Sequence, residues 1–160
     1  MIESENLALE DAELTDGLWE RDAQEVLADF GGQTVSSFRN KLVEKGAMDL
    51  MFSYSIISGR GLVHFLPAID DYSHSPDSDG DAGFPGSFAH AIGNQLRIRP
   101  ESILSMREEI GLLCRYLLTH LGRFDQGDDW ERDTAAKLAE ILEALQTNEE
   151  AQQAGSSTGG

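Results

Sequence analysis

Apolar residues recur at helical intervals along most of the chain. Leu18, Trp19, Ala23, Val26, Leu27 and Phe30 step by three and four, drawing one stripe with Glu20, Asp22 and Glu25 on the other side. The spacing predicts a helix from about residue 18 to 30, capped by Thr15 or Asp16 and stopped by Gly31-Gly32. Upstream, Leu7, Leu9 and Leu14 fit a shorter helix. Thr34 caps the next one, which runs to about Lys45 on a stripe of Val35, Phe38 and Leu42. Lys41 and Lys45 fall in its last turns, where cations complement the helix dipole.

The middle of the chain fits two readings. Met48, Leu50 to Phe52 and Tyr54 to Ile57 form one apolar stretch, Ser58-Gly-Arg-Gly61 breaks it, and Leu62 to Leu66 resumes it. Residues 50–66 are therefore either a short β-hairpin or short helices about a turn. Proline suits the first turn of a helix and disfavours helical dihedrals before it, so Pro67 is expected to open a helix through Tyr72. Residues 73–87, SHSPDSDGDAGFPGS, read as the one long loop, a length that is functional or mobile in a compact domain.

Ser87 then caps a helix through Phe88, Ala91, Ile92 and Leu96, and Arg97 to Arg99 form an extended link. Pro100 starts a helix to Gly122 whose apolar positions, from Ile103 through Leu121, cover an arc wide enough to predict the central helix. Asp128 or Asp129 caps the last helix, striped by Trp130, Ala135, Leu138, Ile141, Leu142 and Leu145, to about Gln146. The expected fold is mainly α: a single-domain bundle of about six helices over 1–146, with 147–160 a disordered tail lacking apolar periodicity.

Charge sharpens this picture. The 160 residues hold 29 acidic and 12 basic side chains, a net −17, with 40% hydrophobic residues, enough for a core. A general nucleic-acid binder needs a basic face, and a protein of anionic membranes a polybasic patch; neither is present. The charge is segregated. Residues 1–30 carry 10 acidic and 1 basic residue, 70–81 carry 5 and 0, and 125–160 carry 9 and 2. The stretches between, 31–69 and 82–124, are each net +2. Solvation alone accounts for an acidic surface; segregated acid also fits a face that steers a basic protein partner.

Candidate chemistry is sparse. Asp77, Asp79 and Asp81 alternate as in a calcium loop, but Ala82 stands where such a loop needs glycine and Phe88 where it needs glutamate. His64, His74, His90 and His120 lack metal-ligand spacing, and Cys114 sits in an apolar stripe, as a core thiol does. No catalytic residue, metal site or cofactor is assigned. A single cysteine forms no intrachain disulfide, and Met1-Ile-Glu-Ser-Glu has neither the basic nor the apolar region of a secretory signal. The expectation is a cytoplasmic protein, with no membrane segment. Partner-contact candidates are Asp70, Asp71, Asp77, Asp79 and Asp81 in the loop, and Trp19 and Trp130, each a margin of the core or an interface anchor. The carboxylates of 16–29 and 125–133 are second candidates.

The segment Gly59-Arg-Gly-Leu-Val-His-Phe-Leu-Pro-Ala68 resembles one found in small acidic bacterial proteins, an aromatic-rich stretch ending in Leu-Pro-Ala or Leu-Pro-Arg before a helix. The resemblance spans about residues 15–145, is sharpest at Phe65-Leu66-Pro67-Ala68, and implies an immunity or antitoxin-type partner with no catalytic residues. The leading expectation is a non-enzymatic module that occludes a basic protein. The alternatives are a nucleic-acid mimic and a metal-dependent enzyme built on the aspartates of 70–81.

Overall fold

Orphan carbonyls decide the part of the chain that the apolar pattern leaves open. The computed structural model describes residues 6–157, and among them there are nine α-helices and no strand. They are α1 (Asp11–Leu14), α2 (Glu20–Phe30), α3 (Val35–Lys45), α4 (Ala47–Tyr54), α5 (Gly59–His74), α6 (Phe84–Ile98), α7 (Pro100–Leu104), α8 (Arg107–Thr119) and α9 (Asp128–Ser157), with 3-10 turns at Pro76–Ser78 and Leu121–Phe124. The expected hairpin at 50–66 is absent. Ala47, Leu50, Met51 and Tyr54 are all buried, at helical spacing, so α4 forms. Its end is then held from a distance. Buried Gln95 of α6 donates to the carbonyls of Tyr54 (3.0 Å) and Ile57 (2.9 Å), Asn94 to Ser55 (2.8 Å) and Arg99 to Ile57 (3.1 Å). These side chains satisfy the helix end that a hairpin would have paired in a ladder.

The Ser58-Gly-Arg-Gly61 break is a helix start. Ser58 Oγ accepts from the Gly61 amide at 3.1 Å and donates to the Glu13 carbonyl at 2.6 Å, tying α5 to α1. A Cβ on Gly59 would lie 2.4 Å from Ser102 Oγ, and one on Gly61 2.5 Å from Ile57 Cδ1, so glycine permits these close approaches. Pro67 stands inside α5 instead of opening it. Preceding it, Phe65 is fully buried and packs on Phe30 and Phe38, with ring centroids 4.9 and 5.0 Å away. A second aromatic group, Tyr72, Phe84, Phe88 and Phe124, fills the other end of the core.

Other boundaries also differ from expectation: Trp19, not Thr15 or Asp16, is the N-cap of α2, α6 runs on through Arg97 to Ile98, and α9 takes in Asp128 and Asp129 instead of being capped by either. The 100–122 helix is broken at Ser105–Met106 into α7 and α8, and Leu112 is 64% exposed. The central position belongs to α6, which packs against α4, α7 and α9, while α8 lies against α9 on one face. Ser87 is not a cap: α6 starts three residues earlier, with Pro85 in its first turn, and Ser87 Oγ donates back to the Gly83 carbonyl at 2.6 Å. Finally, the residues expected as a tail from 147 continue α9 to Ser157. Ala, Gln and Glu extend a helix that packing has already nucleated, which removes the initiation cost that an isolated segment would face. The expected caps fare better at Thr34, whose Oγ1 accepts from Ser37 N while Ser37 Oγ accepts from Thr34 N. No helix among the described residues is long and apolar enough to cross a membrane.

Because Gln95 holds two buried carbonyls, Gln95→Leu should cost about 2–4 kcal/mol despite its added apolar surface. A fall in the urea unfolding midpoint with an unchanged slope would show this; an unchanged midpoint would contradict it.

Candidate functional site

The aspartates of 70–81 are mostly exposed, yet most of them are partnered within the chain. Arg39, from the first weakly basic stretch, donates through Nε to Asp71 (2.7 Å) and through Nη2 to Asp77 (3.1 Å). Arg123, from the second, reaches Asp79 with Nε (2.8 Å) and Nη2 (2.7 Å). The same guanidinium donates to the carbonyls of Ser73 and Ser75, each at 2.9 Å, and the Gly80 amide donates back to the Arg123 carbonyl at 2.9 Å. Asp81 accepts from the Tyr72 hydroxyl and from the Ala47 amide. Burial, helped by the Asp81 hydrogen bond, pushes the Tyr72 phenol well above its usual value. Asp81 thus has neutral donors only, and Asp70 lies 3.5 Å from His74 across one helical turn.

The expected long loop is accordingly short and folded: α5 extends to His74 and a 3-10 turn follows at Pro76–Ser78. Asp71 and Asp77 share Arg39, Asp79 turns to Arg123 and Asp81 to Tyr72, and among the described residues no group of three His, Cys, Asp or Glu is placed to hold a metal ion. Cys114 is buried in the core, and burial pushes its thiol up to about 12, so little thiolate forms at neutral pH. The histidines are dispersed. His64 contacts the Leu7 carbonyl at 3.1 Å, and His74 and His120 stack on Tyr116 with centroids 3.9 and 4.2 Å away.

The two tryptophans behave differently. Trp19 is 84% exposed at the start of α2. Trp130, 59% exposed, stands over an open groove of about 520 Å³, in the range of ligand pockets, with Met48 (53% exposed) and Phe52 (57%) opposite on α4. The first turns of α6 make its floor. Added Cβ atoms would come within 2.7 Å of Met48 Cε at Gly83 and 3.2 Å of Thr134 Oγ1 at Gly86, so glycine lets α4 and α9 pack closely against the start of α6. Gln126 donates to Thr134 Oγ1 at 3.1 Å, and its buried Oε1 lacks a partner.

The rim of this groove is acidic. Asp49 lies on the α4 wall and Asp133 on the α9 wall, with Lys137 the cation among the lining residues. Phe52 and Asp49 also line an adjoining cleft with Glu25 and Asp29. Asp29 is already engaged, 3.7 Å from Lys41 and accepting from the Ser53 hydroxyl. Sequence reasoning named Trp130 but missed Phe52, Met48 and Asp49. The signal of Met48 and Phe52 lies in being apolar residues off the buried stripe of α4, with Asp49 between them, and it is visible only once that segment is known to be helical.

If Arg123 holds the loop, Arg123→Gln should destabilise the fold by about 2–3 kcal/mol, mainly through the unpartnered Ser73 and Ser75 carbonyls. Asp79→Asn should cost under about 1 kcal/mol, since that pair is more than half exposed on the acid side. Urea unfolding of both variants distinguishes them; equal effects would remove Arg123 from this role.

Compared with known proteins, the chain matches no family model, no curated protein and no solved structure.

Proposed function

We propose that the chain is a non-enzymatic, acidic protein-binding module that covers a basic surface of another protein, in the manner of an immunity or antitoxin-type protein. The observation that carries this reading is Trp130, an exposed aromatic set among the exposed carboxylates of Asp128, Asp129 and Asp133 at the start of α9. A rigid aromatic contributes apolar contact area at small entropic cost, and surrounding carboxylates favour cationic neighbours. The loop aspartates 71, 77, 79 and 81, first candidates by charge density, have internal partners, which moves the proposed contact to the 125–133 carboxylates and the surface beside them. The mechanism is occlusion: steric cover, with encounter accelerated by opposite charge. A bacterial source and a cytoplasmic setting belong to this proposal.

The experiment is retrieval of the partner from native lysate at low and high salt, then reconstitution from purified components. The expected result is a basic protein in a 1:1 complex whose association rate falls roughly tenfold or more between low and high salt. An acidic or neutral partner, or a salt-independent association rate, would overturn the reading.

A further inference from the structure

We infer that the groove between α4 and α9 is the seat of a short amphipathic basic segment of the partner, with apolar side chains inserted between Phe52 and Trp130 and lysines or arginines reaching Asp49 and Asp133. This rests on the reading of the chain as an acidic binding module and assigns that module its contact site.

Two observations converge on it. First, three of the nine large apolar side chains left exposed, Met48, Phe52 and Trp130, line this one groove. Exposed apolar side chains are ordinary when scattered; gathered about one concavity they mark a contact surface. Second, the carboxylates stand on both walls, Asp49 on α4 and Asp133 on α9, with Glu25 beyond Phe52. A ligand that is apolar along its middle and cationic along both edges complements that order, with Lys137 the single lining cation to avoid. A second copy of the chain is a poor occupant, because it brings another −17 and the same acidic rim.

The test uses the full chain with Trp19→Phe, which leaves Trp130 as the sole tryptophan reporter. The probe is a capped 14-residue amphipathic peptide of leucine, lysine and alanine, roughly four helical turns long. Controls are a scrambled peptide and one with glutamine for lysine. The expected result is a saturable blue shift of Trp130 emission that weakens as salt rises. Affinity should fall at least fivefold, about 1 kcal/mol, in Phe52→Ala, in Asp49→Asn with Asp133→Asn, and with the glutamine peptide. Asp70→Asn, outside the groove, should change affinity less than twofold. Phe52 is 57% exposed, so its truncation leaves the core intact, which circular dichroism verifies.

Silence of Trp130 at saturating peptide, equal binding of the scrambled peptide, or an unaffected Phe52→Ala would overturn the assignment. So would a dimer in sedimentation that buries Trp130. The two failures separate. With Trp130→Phe, Trp19 reports instead. Salt-sensitive binding seen there with a silent Trp130 removes the groove and leaves the module reading standing, whereas a retrieved partner that is not basic removes that reading itself.

Discussion

One guanidinium organises the acidic centre of this protein. Arg123 uses Nε, Nη1 and Nη2 together on Asp79, the Ser73 and Ser75 carbonyls, Ser78 Oγ and the Tyr116 hydroxyl. A chain that folds five aspartates into twelve residues, 70–81, meets strong self-repulsion unless cations lie inside the fold. Arg123 and Arg39 supply them, from two segments on opposite sides of the loop in sequence. The turn that results brings Asp81 against Tyr72 and the first amide of α4, so the loop also fixes where α4 begins. From there the position of Met48 and Phe52 follows, and with them one wall of the groove.

Local chemistry was legible in the sequence. The Thr34 cap, the Gly31-Gly32 corner, the stripes of α2, α3 and α9, and the predominance of helix all depend on neighbours within a turn or two. What depended on distant partners was not. The fate of 50–66 rests on Gln95, Asn94 and Arg99, some forty residues on, and no local propensity encodes them. Pro67 was expected to open a helix because that is its cheapest place; burial of Leu62, Phe65, Ile69 and Tyr72 along one continuous face kept the helix running through it. The carboxylate loop invited a reading as free charge because density is visible in sequence and pairing is not. A trace of the pairing was nonetheless there, in the two weakly basic stretches that flank it.

The consequence for function is a change of place and not of kind. Net charge of −17 remains the dominant property of the surface. Arg39 and Arg123 offset part of the 70–81 charge, although Asp71, Asp77 and Asp79 stay more than half exposed, and the carboxylates at the start of α9 and Asp49 on α4 also face solvent. Half-exposed aromatics on those two helices then share one cleft. In the proposed function, electrostatics sets the rate of encounter and the sign of the partner, and apolar insertion sets its residence.

The central claim is that Asp71, Asp77 and Asp79 are held by Arg39 and Arg123 in the folded chain. Heteronuclear NMR of the arginine side chains of the full chain, at pH 6 and moderate salt, tests it most directly. The account predicts dispersed, slowly exchanging Nε–H signals for Arg39 and Arg123, with through-hydrogen-bond correlations to the carboxylates of Asp71 and Asp79. Fast-exchanging, degenerate Nε–H signals for both, with no such correlation, would contradict it and return the loop to solvent.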